Sequence, residues 1–183
     1  MRAVLVPVKA FHQAKLRLAG ALSPAERRAL AQTLAERVLA AASGLPVFVA
    51  CDDQAVAKWA VTRGAEVLWT PGLGLSGAVR SGVTSLAERG VDLAVVSHSD
   101  LPLVTTFEGI GAEDEITLVP DRRLDGTNVV CVPTRADFNF AYGLGSFRRH
   151  LAEADRSGVT TRVLYDWNLA NDLDVPDDLV LMH

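Results

Sequence analysis

Asp100 follows an apolar run, Asp92–Ser97, and stands just ahead of Leu101-Pro102. A proline has no donor N–H and disfavours helix at the residue before it, so the strand should break here. The Asp100 carboxylate is then expected at the edge of a sheet. Such a placement suits Mg2+, which takes one or two carboxylates together with phosphate oxygens and water. A turn aspartate is the competing reading. Asp172 and Asp174 lie two apart, and on an extended chain they project to the same side. Two carboxylates so placed repel each other unless a cation or donors stand between them. They lie too early to serve the dipole of the final helix expected from Pro176, whereas Asp177 and Asp178 fit a solvated approach to it. With Asp100 nearby, the pair reads as metal ligands.

Lys9, Lys15 and Arg17 follow the first apolar run. Their ammonium and guanidinium groups could neutralise a triphosphate and its departing pyrophosphate; a solvated loop face is the alternative. Gly126-Thr127-Asn128 and Gly143-Leu144-Gly145-Ser146 form a further set. Glycine lets a backbone approach an anion, and Ser146 is expected to cap a helix whose free N–H groups attract phosphate or carboxylate. Each is equally readable as a turn or a cap.

Other chemistries are excluded by their missing signatures. No G-x-G-x-x-G string follows the first strand, no P-loop string occurs, and Leu75-Ser76-Gly77 lacks the rest of a nucleophile elbow. His12, His98, His150 and His183 show no metal-ligand spacing, and His98 reads as a supporting or surface residue beside Asp100. Cys51 and Cys131 stand far apart and read as small buried hydrophobes, and Trp59, Trp69 and Trp167 as core or rim aromatics.

The elements that must carry these residues alternate in type. Strands are expected over Ala3–Val8, Pro46–Cys51, Ala65–Trp69 and Asp92–Ser97. Between them lie a helix opened by the capping-box string Ser23-Pro24-Ala25-Glu26 and stopped at Gly44, a short helix capped by Asp52 or Asp53, and a third running from the Pro71–Gly74 turn to about Arg89. Leu30, Leu34, Val38 and Ala41 form the apolar stripe of the first helix. Further strands are expected over Ile116–Pro120, Asn128–Pro133 and Val159–Tyr165, with a helix from Ser146 to Ser157 and another from Pro176. Strands alternating with helices predict βαβ units: an α/β three-layer sandwich around a mostly parallel mixed sheet. Ligands then belong beyond the carboxyl ends of its strands.

Composition fits one ordinary domain: 183 residues, 49% hydrophobic and 22% charged. No apolar run approaches the ~18 residues of a membrane span, and Met1–Pro7 reads as a strand rather than a signal peptide, so a cytoplasmic protein is expected. A formal net charge of −4 gives no nucleic-acid surface. The charge is uneven, however: Lys9, Lys15, Arg17, Arg27, Arg28 and Arg37 lie near the start, and five aspartates lie between 166 and 178.

Six strings, in this order, resemble one family: Val6-Pro7-Val8-Lys9 with Lys15-Leu16-Arg17-Leu18, Leu22-Ser23-Pro24-Ala25-Glu26-Arg27, Ser99-Asp100-Leu101-Pro102-Leu103, Gly126-Thr127-Asn128, Gly143-Leu144-Gly145-Ser146-Phe147 and Asn171–Leu179. The chain resembles the CofC-type guanylyltransferases of coenzyme F420 biosynthesis. The resemblance implies a nucleotidyltransferase fold of the nucleotide-sugar pyrophosphorylase type. It also implies GMP transfer from GTP to a small phosphorylated three-carbon acid, phosphoenolpyruvate or 2-phospho-L-lactate, with release of pyrophosphate. By the same resemblance Asp100, Asp172 and Asp174 hold Mg2+. Lys9, Lys15 and Arg17 serve catalysis, Pro7, Lys9, Gly74, Ser76 and Asp100 bind the nucleotide, and Thr127, Gly143 and Ser146 bind the acid. A homodimer is the family habit. Three departures stand out: Ser97-His98-Ser99-Asp100 replaces a P-A-D-L-P approach, Ser76 stands where an asparagine is usual, and Tyr142 replaces a phenylalanine. A sister nucleotidyltransferase with another phosphate acceptor, such as 3-phosphoglycerate or a molybdopterin-type group, and a non-catalytic nucleotide-binding paralogue are the two alternatives.

Overall fold

The computed structural model describes residues 1–182; His183 lies outside the described residues. Seven strands form one sheet in the order β3-β2-β1-β4-β6-β5-β7. They are β1 (Arg2–Pro7), β2 (Val47–Cys51), β3 (Glu66–Trp69), β4 (Leu93–Ser97), β5 (Glu115–Pro120), β6 (Thr127–Pro133) and β7 (Thr160–Val163). All neighbouring pairs are parallel except those made by β6, which runs antiparallel to both β4 and β5. The mixed, mostly parallel sheet expected from the alternating elements is therefore present. Because β6 is reversed, its first residues join the carboxyl ends of the others: Ser97 pairs with Val129, and the His98 N–H donates to Asn128 O at 2.9 Å.

The strands are buried on both faces, as parallel sheets under helices require. Val4, Val6, Val49 and Val95 pack with Ala35 and Val38 of α1 (Pro24–Ala41), Val56 and Trp59 of α2 (Gln54–Thr62) and Leu169 of α5 (Trp167–Ala170). Ala3, Leu5, Phe48 and Val96 pack on the other face with Val79, Val83 and Leu86 of α3 (Gly74–Glu88) and Ala154 of α4 (Ser146–Ser157). Alternate residues of one strand thus serve opposite layers, which gives the three-layer sandwich. Leu34, Val38 and Ala41 of the expected α1 stripe are buried, while Leu30 is half-buried. Cys51 and Cys131 are free and buried. Trp59 is buried, and Trp69 and Trp167 are exposed rim residues.

Helix starts follow their side-chain chemistry. Ser23 Oγ accepts from the Glu26 N–H while the Glu26 carboxylate accepts from the Ser23 N–H, closing the capping box. Asp53, rather than Asp52, caps α2 through the Val56 N–H at 2.9 Å. Two boundaries depart from the sequence reading. Gly145, not Ser146, is the N-cap of α4, and Ser146 is its first helical residue, because Gly145 supplies the left-handed backbone (φ 69°) that the turn needs. The last strand stops at Val163, since Asp166 caps the short α5 by accepting from the Leu169 N–H at 3.0 Å. From Pro176 to Met182 the chain forms a 3-10 helix. No helix among the described residues is long and apolar enough to cross a membrane.

Candidate active site

The chain leaves β1 for β2 and β3 on one side, then returns to β4 on the other side of β1. That reversal creates a crevice beyond the carboxyl ends of β1 and β4, the place where open α/β sheets bind ligands. After β1 come two 3-10 turns, Phe11–Gln13 and Leu16–Leu18, with Lys15 between them in the left-handed backbone region (φ 55°, ψ 38°). A non-glycine residue held there costs about 1–3 kcal/mol and persists only where its surroundings determine it.

Its side chain supplies that determination. Lys15 Nζ lies 2.6 Å from Asp100 Oδ2 and 3.4 Å from Asp174 Oδ1, and it also donates to Leu173 O. Arg17 Nη1 reaches Asp174 Oδ2 at 3.4 Å from an exposed position. The backbone is tied in as well, with the Leu173 N–H donating to Asp100 O at 3.0 Å. Burial alternates along this stretch: Asn171 and Leu173 are buried, while Asp172 and Asp174 are half-buried. The two aspartates therefore lie on one side, as their spacing predicts.

The electrostatics follow from this packing. Burial alone would lower the Lys15 pKa, but the Asp100 charge and hydrogen bond, with those of Asp174, outweigh it and raise it. Burial pushes the Asp100 carboxyl up, and Lys15 and His98 together pull it below its usual value. Asp172 moves the other way, raised by burial and then by the charges of Asp100 and Asp174. One oxygen of Asp100, Oδ1, is buried with no hydrogen-bond partner; His98 Nδ1 stands 4.0 Å from it.

The acidic stretch is held from behind. Asp178 Oδ2 accepts from the Asp174 N–H at 2.7 Å and the Val175 N–H at 2.9 Å, and Oδ1 accepts from Arg122. Arg122 Nη1 also donates to Asn171 Oδ1 at 3.2 Å. Asp178 is thus a buried anchor and not the solvated acid that its place before a helix suggests; Asp177 is exposed. The sequence offered no sign of the pairing with Arg122, which lies in a turn 56 residues earlier.

A cleft of about 410 Å3 opens over the carboxyl ends of β1, β2 and β3; Lys15, Arg17, Asp100, Asp172 and Asp174 are not among its lining residues. Pro7, Lys9, His12 and Gln13 line it after β1, Cys51 to Asp53 after β2, Thr70 after β3, and Gly74, Leu75 and Ala78 on α3. No side chain caps the first turn of α3, so its N–H groups are available to an anion. Of the residues expected at the nucleotide, Pro7, Lys9 and Gly74 line this cleft and Asp100 does not. Ser76 does not line the cleft: its Oγ accepts from the Tyr142 N–H at 3.0 Å.

Beyond β4 lies the loop leading into α4. Thr127 and Ser146 are buried, and Gly143 is exposed with φ 109°. His150 Nδ1 and Thr127 Oγ1 are 3.0 Å apart, and His150 Nε2 accepts from the Ala141 N–H at 2.9 Å. An accepting Nε2 makes Nδ1 the protonated nitrogen, so it donates to Thr127.

The oxygen donors suit a hard divalent cation. The buried, unpartnered Asp100 Oδ1 and Asp172, whose carboxyl pKa is pushed up by burial and by the charges of Asp100 and Asp174, are the groups that such an ion would satisfy. Among the described residues no group of three or more His, Cys, Asp or Glu side chains is already gathered around a metal position. The Lys15 ammonium stands in as the cation between Asp100 and Asp174.

Comparison with known proteins gives the family and the fold. Residues 1–183 match the family described as guanylyl transferase CofC like. The chain is 38% identical over 185 residues to a phosphoenolpyruvate guanylyltransferase of Sphaerobacter thermophilus, with 96% of this chain and 89% of that protein covered. A protein of the same name from Rubrobacter xylanophilus is 35% identical over 184 residues, with 96% and 90% covered. Among solved structures, a protein of Desulfovibrio desulfuricans assigned to the nucleotide-diphospho-sugar transferases superposes with a TM-score of 0.76 at 15% identity, covering 97% of this chain and 84% of that one. A nucleotidyl transferase of Methanothermobacter thermautotroptrophicus gives 0.67 at 14% identity, covering 98% and 94%. The likeness to solved structures at this identity establishes the fold as a nucleotidyltransferase sandwich. Together with the match along the entire sequence, it follows that the chain belongs to the CofC-like guanylyl transferase family.

Proposed function

We propose that this protein transfers GMP from GTP to the phosphate of phosphoenolpyruvate or a closely similar phosphorylated three-carbon acid, releasing pyrophosphate. One juxtaposition carries the reading. Lys15 pairs with Asp100 and Asp174, with the Asp172 charge close to both aspartates, at the switch point of a sheet whose carboxyl end also carries a cleft with an uncapped helix start. The names of the relatives supply the acceptor.

In this mechanism a phosphate oxygen of the acid attacks the α-phosphorus of GTP in line with the bond to the β-phosphate. The new P–O bond forms as the α–β bridging bond breaks, and the electron pair leaves with pyrophosphate. An already ionised phosphate needs no strong general base, so positioning and charge neutralisation carry the rate. The nucleotide occupies the cleft along Pro7 and Gly74, with its phosphates towards the start of α3 and Lys9. Lys15 and Arg17 receive the charge that develops on the departing pyrophosphate. Thr127, Gly143 and Ser146 orient the acid opposite the nucleotide. A Mg2+ ion held by Asp100, Asp172 and Asp174 would neutralise phosphate charge and bring the two reactants together.

The test is pyrophosphate release from GTP, in the presence of Mg2+, with phosphoenolpyruvate, 2-phospho-L-lactate and 3-phosphoglycerate as alternative acceptors. Release that requires GTP and one of these acids supports the reading; GTP binding with no release under any acid overturns it.

A further inference from the structure

The segment between Ala141 and Ser146 has no regular structure, yet side chains hold its backbone on every side. The Arg149 guanidinium donates to Ala141 O from Nε at 3.1 Å and from Nη2 at 2.9 Å, to Tyr142 O at 3.3 Å, and to Leu144 O at 2.6 Å. The Asp125 carboxylate accepts from the Gly145 N–H at 3.1 Å. His150 accepts from the Ala141 N–H, and its ring lies 4.9 Å from that of Tyr142 in an edge-on arrangement. With the carbonyls turned onto Arg149, the N–H groups of Gly143 and Leu144 have no partner among the described residues.

One of these restraints comes from elsewhere in the molecule. Ser76 sits in the first turn of α3, between Leu75, which lines the nucleotide cleft, and Ala78, which also lines it. Its hydroxyl is spent on the Tyr142 N–H, 66 residues away, at 3.0 Å. The start of α3 and the glycine loop are therefore joined by one side-chain hydrogen bond, beside the apolar layer on which Leu75 and Tyr142 both pack. Whatever settles the first turn of α3 also settles Tyr142, and with it the adjoining Gly143.

We infer that Ser76 is a positioning residue for the acid acceptor and not a nucleotide contact: it couples the nucleotide cleft to the Ala141–Ser146 loop through the Tyr142 N–H. This deepens the guanylyltransferase reading and rests on it. Loss of the hydroxyl lets the loop sample other conformations, so the acceptor meets a competent loop only part of the time and its apparent affinity falls by that fraction. The nucleotide, bound by the opposite face of the same turn, is not affected.

The experiment is steady-state kinetics on the full chain with GTP and phosphoenolpyruvate, comparing wild type with Ser76→Ala and Ser76→Thr. Loss of one hydrogen bond in Ser76→Ala is expected to raise KM for the acid about 3- to 10-fold while KM for GTP moves by less than about twofold. Ser76→Thr keeps a hydroxyl acceptor and is expected to restore the acid KM. A raised KM for GTP with an unchanged acid KM would make Ser76 a nucleotide contact and overturn the inference, as would no change in either constant. Amide hydrogen exchange supplies a readout that does not need turnover. GTP is expected to slow exchange across residues 141–146 in wild type and not in Ser76→Ala; equal protection in both overturns the coupling. If wild type turns over no phospho-acid, the functional reading fails by itself, and hydrogen exchange still decides whether Ser76 links the two halves.

Discussion

Lys15 Nζ lies 2.6 Å from Asp100 Oδ2 although 85 residues separate the two, and the same nitrogen donates to the backbone carbonyl of Leu173. One side chain thus joins the loop after β1, the loop after β4 and the acidic stretch near the end of the chain. Its left-handed backbone is the conformational cost of that position, offset by three oxygen partners.

Removing one member of this pair strands the other. The Lys15 side chain is 8% exposed and that of Asp100 21%, so Lys15→Met leaves a carboxylate with little access to water. The expected loss is about 2–3 kcal/mol, less than the ~3–5 kcal/mol of a fully buried pair because Asp100 keeps some solvent. Urea unfolding of Lys15→Met, Asp100→Asn and the double variant checks this. The double variant is expected to recover most of the stability and none of the turnover.

Asp178 is expected to act on the site without touching substrate. Its carboxylate holds the N–H groups of Asp174 and Val175 and pairs with Arg122. Burial alone would raise its pKa, and the Arg122 and backbone hydrogen bonds bring it below the usual value. Asp178→Asn keeps the shape but loses the charge and one acceptor, at a cost of about 1–3 kcal/mol. The expected kinetic result is a lowered kcat, since Asp174 is no longer held; unchanged kcat in a folded variant would free Asp178 of any positioning role.

His150 makes stability depend on pH. Burial, reinforced by Arg149 and His98, lowers its pKa to about 4 from 6.5. The folded state therefore holds the ring neutral while the unfolded chain takes up a proton. Stability from this group is fully present above pH 6.5 and is lost as pH falls towards 4. Between about pH 7.5 and pH 5 the wild type should lose about 2 kcal/mol that His150→Gln does not lose. Unfolding free energies at the two pH values test it, and equal slopes would contradict it.

Gly111 offers a test of the fold apart from the site. Its φ is +84°, and a Cβ there would lie 2.2 Å from Cys131 Sγ and 3.1 Å from Cys131 Cβ. Strain and overpacking together make Gly111→Ala cost about 2–4 kcal/mol. Gly111 adjoins Leu93, at the opposite end of β4 from Asp100, so turnover per folded molecule should stay at the wild-type level.

Much of this architecture is legible in the sequence because local chemistry fixes it. Ser23 and Glu26, Asp53 and Gly158 mark helix ends by side-chain bonds or backbone freedom that the residue types require. The apolar runs give the strands, and the end of the fourth run at Ser97 leaves Asp100 beyond the carboxyl end of β4. Gly145 took the cap from Ser146 because both lie in one short string and only the fold decides which adopts the left-handed turn. The short helix at Trp167 is too brief to show periodicity. What could not be read is everything set by contacts far apart in sequence: Lys15 between the aspartates, Arg122 on Asp178, and the Ser76 hydroxyl turned to Tyr142. Asp178 was misplaced for this reason, since a solvated acid and a buried anchor look alike without the partner.

The most direct measurement is pyrophosphate release from GTP by wild type and Asp100→Asn, with Mg2+ and each phosphorylated acid in turn. Release that needs both GTP and phosphoenolpyruvate, and that disappears in a folded Asp100→Asn, is the expected result. Undiminished release in Asp100→Asn, or none from a wild-type chain that still binds GTP, would contradict the account.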